Sequence, residues 1–306
     1  MTTTDDAAAV FAAERTRLLG VAYRLTSSWA DAEDVVADVW PRFAEHVHEI
    51  RSPAAWLTTV VSRAALDLLR SARVRREQYV GPWLPEPLVH DLDGRPLGGR
   101  SDDPAELAEL GESVRMAFLV VLDRLTPEQR VAVVLHDALG VPFDQVAQVL
   151  EVSTEAARQH AVRGRRRLHE AALPPPAQVA EQQRVLGDLQ QALLAGDPDR
   201  IAALLAPDVV LVADHAGRVT AAGRRLDGAA EVARFLAGLA RIAEWDLVSF
   251  RTVLVNGQPG VVVHNGSRKP RTAPVGVYAF TVHDGAVQAV HAVLAPDKVG
   301  RYLALD

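Results

Sequence analysis

Between Leu125 and Leu168 apolar residues return every three or four positions in successive runs, and each run is bounded by residues that start or stop helices. Thr126, Pro127 and Gln129 spell a helix start: a hydroxyl N-cap, a proline where no amide partner is needed, and a glutamine that can reach back to the cap. The first helix runs to about Ala138 and stops at Gly140. Phe143, Val146, Ala147 and Leu150 mark a second, and Ser153 caps a third that carries Arg158, Arg163, Arg165, Arg166 and Arg167. Two helices, a tight turn and a basic third helix predict a helix-turn-helix.

The rest of the chain changes period. From Val10 to about Tyr79 the spacing is helical and glycines are few, with a second helix starting near Asp31 and a long third helix after a proline-containing loop at 51–54. Val35, Val36, Val39 and Phe43 face a core, and Trp56 is expected there too. Beyond the triple proline at 174–176, Val179, Leu186, Leu189 and Leu193 form one helical stripe and a short second helix follows. Alternating strands then succeed one another: Asp208 to Val212, Thr252 to Val255, Gly260 to His264, Val275 to Val282 and Ala286 to Leu294. Asn256-Gly257 and Asp284-Gly285 read as hairpin turns. Helices followed by a run of antiparallel strands predict an α+β cone with a pocket.

Composition adds boundaries. The 306 residues suffice for two or three domains with cores of their own. No apolar run approaches the ~18 residues of a membrane span, and the acidic start Met1 to Val10 does not read as a signal peptide, so a cytoplasmic protein is expected. With no cysteine there are no disulfides and no thiolate metal sites; neither a metal nor a cofactor is expected. The net charge of −6 is misleading for a nucleic-acid binder. The proline- and glycine-rich stretch 81–110 holds seven acids against two arginines and so accounts for five of those six charges. It reads as an acidic linker, and the arginines of the third helix remain locally concentrated.

Three groups of side chains carry candidate chemistry. A recognition helix presents its first residues to base edges and its later cations to phosphates. That makes Thr154, Glu155, Arg158 and Gln159 candidate base readers and Arg163, Arg165 and Arg166 phosphate anchors. In the first module Arg63, Arg70 and Arg73 share a broad polar surface beside a short loop, suited either to solvent or to a single strand with one base drawn from the stack. Asp31, Glu33, Asp34 and Asp38 line the polar side of the second helix, a solvated face or a docking surface.

The order of these segments resembles an alternative sigma factor of bacterial RNA polymerase, of the extracytoplasmic-function class, over residues 10–172. The segment from Ala22 to Val36 is similar to the first conserved regions of that class, Ala54 to Arg73 to the promoter-melting region, and Leu125 to Leu168 to the region-four helix-turn-helix. Pro41 departs from the usual pattern. Trp83, Leu84, Pro85, Glu86 and Pro87 match the linker motif of a subgroup that appends a SnoaL-like domain. Two further motifs of that subgroup match in part, at Asp214, Gly217 and Arg218 and at Pro296, Asp297 and Lys298. The resemblance implies two all-α sigma modules, the second a helix-turn-helix, plus a C-terminal α+β SnoaL-like cone. It places a region-two domain at 1–80, the linker at 81–110, a region-four domain at 111–173 and a regulatory domain at 178–306. It further implies docking on core RNA polymerase through the acidic helix, binding of promoter DNA by both modules, a monomer outside the holoenzyme, and regulatory contacts through the three motifs. An unknown small ligand in the C-terminal pocket is a further expected partner.

SnoaL-like folds also include isomerases and cyclases. Asp214, His215, Asp227, His264, His283 and His291 are therefore weighed as acid or base candidates. A chain of that kind would be an enzyme fused to a DNA-binding module, or a plain helix-turn-helix regulator with a sensor. The expectation is a specificity subunit without catalysis.

Overall fold

The computed structural model describes residues 4–77, 79–98, 114–171 and 173–305, the side chains of 4–6 and 72–77 excepted. The chain divides into two units, Met1–Gln78 with Phe118–Leu173, and Tyr79–Ala117 with Pro174–Asp306.

In the first unit α1 (Thr4–Thr26), α2 (Trp29–His46) and α3 (Pro53–Glu77) pack together around Leu18, Leu19, Phe43 and Leu57. Ser28 caps α2 by accepting the Asp31 amide at 3.2 Å. Pro41 sits inside α2, which runs on through it to His46. Trp56 is half-buried beside Phe43 (ring centroids 5.9 Å apart) rather than enclosed in the core, because it lies on the rim of a hollow shared with Arg42, His46 and Arg51. The second module follows as α4 (Met116–Leu122), α5 (Pro127–Val133) with one wider turn at Val134–Ala138, α6 (Phe143–Leu150) and α7 (Thr154–Glu170). Both halves of the expected capping box form at Thr126 and Gln129, and Ser153 caps α7.

Arg130 joins the two modules. Its guanidinium is 2% exposed, donates twice to the Arg24 carbonyl (3.0 and 3.1 Å), and also reaches Ser27 Oγ and the Asp123 carboxylate. A buried guanidinium with every partner in place fixes geometry as well as charge.

The second unit is a seven-stranded sheet in the order β1-β4-β5-β6-β7-β2-β3. Its strands are β1 (Val89–His90), β2 (Leu205–Asp214), β3 (Leu226–Asp227), β4 (Val248–Val255), β5 (Gln258–Asn265), β6 (Val275–His283) and β7 (Ala286–Val293). The helices α8 (Val179–Ala195), α9 (Pro198–Ala203) and α10 (Ala229–Ile242) accompany it, and α11 (Pro296–Val299) follows β7. The stripe that α8 buries is Val185, Leu186, Leu189 and Ala192, whereas Val179 is exposed at the helix start. One feature differs from expectation. The sheet is mixed, since β2 runs parallel to β7; a parallel neighbour needs a long crossover, which α10 and the intervening hairpins supply. The described part of the linker packs onto this sheet, at the motif for which contacts are expected. Leu84 to His90 are buried, and β1 pairs with the end of β4 through Val89 opposite Val255 and His90 opposite Leu254. The acids of 102–109 lie outside the described residues.

Candidate regulatory clasp and nucleic-acid interface

Asp214 closes β2 with a carboxylate that is fully buried, and it is the centre of the linker's attachment. One oxygen accepts the Tyr79 hydroxyl at 2.6 Å; the other accepts the Leu84 amide at 2.9 Å and lies 2.6 Å from Lys298 Nζ. The same ammonium donates to the Leu84 carbonyl at 2.5 Å and sits 4.0 Å above the Trp83 ring. Lys298, 8% exposed, thus grips the linker backbone and the aromatic beside it. Burial, together with the Asp214 carboxylate, pushes the Tyr79 phenol far above its usual value, so it stays a donor. Farther along, Arg301 pairs with buried Glu86 at 2.7 Å and the Tyr302 hydroxyl donates to the Pro87 carbonyl at 2.8 Å.

The turn after β2 shapes the other side of the clasp. Gly81 has φ +88° and lies so close to His215 that a Cβ would come within 2.7 Å of Nε2, which requires glycine there. Gly217 closes the turn by donating to His215 Nδ1 at 3.0 Å. Arg218 and Asp297 are exposed, Pro296 opens α11, and Pro85 is buried. The sequence motifs therefore supplied Trp83, Leu84, Glu86, Pro87, Asp214 and Lys298 as touching residues and missed Tyr79, Arg301 and Tyr302. The available signal was a buried-type motif containing Glu86, which needs a cation.

In sequence Asn256 marks only half of a turn. It adopts φ +52° as such a turn demands, but its side chain is 1% exposed. Its amide oxygen accepts the Leu88 N–H at 3.2 Å and its amide nitrogen donates to the Val114 carbonyl at 2.9 Å. Its backbone N–H also donates to Leu88 O at 2.8 Å. One residue thereby holds both the outgoing and the returning ends of the linker.

In the first unit the candidate base readers Glu155, Arg158 and Gln159 are exposed at the start of α7, and Thr154 is half-buried behind Ser153. Arg163, Arg165 and Arg166 are exposed farther along, Arg165 leaning on Asp137 at 2.9 Å and Arg166 on Glu170 at 2.8 Å. Arg63 and Arg70 do not point to open solvent alone. Arg63 donates to the Gln148 carbonyl at 2.6 Å and Arg70 meets Glu128 at 3.3 Å, so both reach the helix-turn-helix module. The side chain of Arg73 lies outside the described residues. Asp31 is half-exposed, and Glu33, Asp34 and Asp38 are exposed along α2.

A cavity of about 330 Å³ opens in the second unit. None of the six acid or base candidates lines it. Asp214 is spent on the clasp, His264 Nε2 lies 2.8 Å from the Tyr302 carbonyl, Asp227 pairs with Arg225, His283 is beside Asp284, and His215 and His291 are buried elsewhere. Among the described residues no cluster of histidine and carboxylate side chains could hold a metal ion, and no helix is long and apolar enough to cross a membrane.

Three family profiles cover this architecture in order: Sigma-70 region 2 at residues 10–75, Sigma-70 region 4 at 115–168 and the SnoaL-like domain at 187–297. They define a two-module sigma factor with an appended α+β domain. The chain is 43% identical to the ECF RNA polymerase sigma factor SigJ of Mycobacterium tuberculosis, over 94% of this chain and 91% of that protein. The crystal structure of the M. tuberculosis SigJ matches 96% of this chain and 98% of its own, with a TM-score of 0.77 at 40% identity. A probable ECF sigma factor, SigI of the same species, is 30% identical over 96% of this chain and 95% of its own length. The chain belongs to the ECF RNA polymerase sigma factors.

Proposed function

We propose that this sigma factor docks on core RNA polymerase through Asp31, Glu33, Asp34 and Asp38 and reads promoter DNA with both of its helical modules. Asp31, Asp34 and Asp38 at one-turn spacing on α2, with Glu33 beside them and all but the half-exposed Asp31 open to solvent, give a docking face whose charge steers association. The hollow beside Trp56, rimmed by Arg42, His46 and Arg51, fits a base withdrawn from single-stranded minus-ten DNA, with Arg63, Arg70 and Arg73 following the backbone. Thr154, Glu155, Arg158 and Gln159 enter the major groove of the minus-thirty-five element, while Arg163, Arg165 and Arg166 hold phosphates. Arg63 and Arg70 must leave Gln148 and Glu128 to do this, so promoter opening requires the two modules to separate.

The C-terminal domain acts as a regulator rather than an enzyme, on a monomeric cytoplasmic protein. The observation that carries this reading is the buried Asp214–Lys298 pair gripping both polar groups of Leu84. A linker fixed there cannot also extend between separated modules. The test is run-off transcription with purified core polymerase from the gene's own upstream region, comparing the full chain with a version ending near Ala172. A transcript that requires the added protein, and whose yield differs between the two versions, supports the reading. Equal yields reject the regulatory part, and no transcript from either rejects the promoter-reading part.

A further inference from the structure

The cavity of the second unit stands against the clasp. Leu189, Leu211, Phe235, Trp245, Phe250 and Leu294 wall it, and its volume of about 330 Å³ is at the lower end of small-molecule sites (~300–1,000 Å³). Charge appears only where Glu244, Lys269 and Arg271 line it, and there Glu244 and Lys269 neutralise each other at 3.1 Å. Hydrogen bonds from Ser267 and Lys269 hold the Glu244 carboxyl below the usual range, so it remains ionised and paired. Burial pushes the Tyr278 phenol on the cavity wall up to about 12, which keeps it neutral at any physiological pH. Arg271 is exposed and donates to the neutral Gly217 carbonyl, so its charge stays in solvent, and the apolar chamber with its neutral phenol offers nothing to compensate a buried ligand charge.

The walls continue directly into the clasp. Ala213 lines the cavity and Asp214 follows it; Leu294 lines the cavity four residues before Lys298. The Leu294 amide donates to the Asp214 carbonyl at 2.7 Å, tying the two strand ends together. Arg271 donates to the Gly217 carbonyl at 3.0 Å and accepts the Thr220 amide at 2.7 Å, so the turn beside the linker is braced by a residue that lines the cavity. An apolar void deprives its lining of dispersion contacts, and a ligand restores them on the face opposite the clasp.

We infer that this cavity is an effector site: it takes an uncharged, predominantly apolar small molecule with one polar group for Tyr278, and occupancy tightens the grip of Asp214 and Lys298 on the linker. Its regulatory meaning rests on the reading of the clasp above, but binding and tightening are measured without transcription, so either can fail alone.

The experiment titrates the full chain with N-phenyl-1-naphthylamine, an uncharged fluorescent probe, and follows hydrogen exchange in peptides spanning Val80 to Leu88. That segment has few exchangeable amides, because residues 82, 85 and 87 are prolines. Saturable one-site binding, with exchange at Leu84 slowed at least threefold at saturation, is expected. Val263→Trp on β5 and Ala221→Phe in the loop both fill the cavity; each, once shown folded by circular dichroism, is expected to weaken the probe at least tenfold. The sulfonated analogue 8-anilino-1-naphthalenesulfonate is expected to bind at least tenfold more weakly than the neutral probe. Non-saturable binding, or undiminished binding to a folded filled variant, overturns the site. Equal affinity for the sulfonate overturns the ligand class, and saturation without a change at Leu84 overturns the coupling.

Discussion

Replacing Lys298 by methionine isolates the central interaction of the clasp, because the stem and much of its contact with Trp83 survive while the charge is lost. Removing one partner of a buried ion pair costs ~3–5 kcal/mol, most of it the uncompensated charge left behind. Here the charge left behind is the fully buried Asp214 carboxylate, which keeps two donors, Tyr79 and the Leu84 amide. Those charge-assisted bonds retain part of its solvation, and the Leu84 carbonyl loses its donor. The expected loss is therefore about 3 kcal/mol. With a urea dependence of ~1–3 kcal/mol per molar, the transition of the second unit should move down by about 1–3 M. A neutral double variant, Asp214→Asn with Lys298→Met, no longer buries an unpaired charge and should be more stable than the sum of the two single losses predicts, by at least ~1.5 kcal/mol. Equilibrium urea unfolding of the four proteins gives the cycle, and exchange at Leu84 reports whether the linker itself comes free. A single-variant loss below ~0.5 kcal/mol, or additivity of the two changes, would show that the pair does not hold the clasp.

Four further outcomes follow from the geometry. Asn256→Gly keeps the left-handed turn but strands the Leu88 amide and the Val114 carbonyl, so a loss of ~1–3 kcal/mol and faster exchange at Leu88 are expected in hydrogen-exchange measurements. Arg130→Met removes the cation held by Arg24, Ser27 and Asp123; it should cost ~2–4 kcal/mol in chemical unfolding and increase the distance between spin labels placed on α3 and α6. Gly164→Ala usually helps a helix by up to ~1 kcal/mol, but here the new Cβ would come within 2.6 Å of Val133 Cγ2 and 3.2 Å of the Gln129 carbonyl, so a net loss of ~1–2 kcal/mol in thermal unfolding is expected. Tyr278 ionises near 10 when unfolded and at about 12 when folded, so stability from this group is fully present below pH 10 and is lost as pH rises toward 12; Tyr278→Phe should lessen the alkaline slope in unfolding titrations, the part due to Tyr79 remaining.

The helix-turn-helix was legible because its information is local. Thr126, Gln129 and Ser153 make their caps within three residues, and the apolar period of α6 is carried by the residues that it buries. The hairpins at Asn256 and Asp284 were legible for the same reason, since two turn residues fix both strands. The parallel pairing of β2 with β7 was not, because nothing near Val210 names Ala289 as its neighbour. The clasp lay between these cases. Motifs supplied Trp83, Asp214 and Lys298, but Tyr79, Arg301 and Tyr302 look in sequence like ordinary surface or core residues, and their roles exist only once the linker is folded onto the domain. Arg63 and Arg70 were legible as cations, whereas their engagement with Gln148 and Glu128 depends on the packing of two modules far apart in the chain.

The clasp also sets an order in time during synthesis. Lys298 follows Leu84 by 214 residues, and at ~5–20 residues per second a ribosome needs about 10 to 40 s to cover that distance. The first helical module is already made when Leu84 appears, and the second is finished within the interval at Glu170, before the lysine that grips the linker exists. Each newly made molecule therefore passes through a period in which both helical modules are present and the clasp cannot yet close. The length of that period is set by translation speed rather than by any signal.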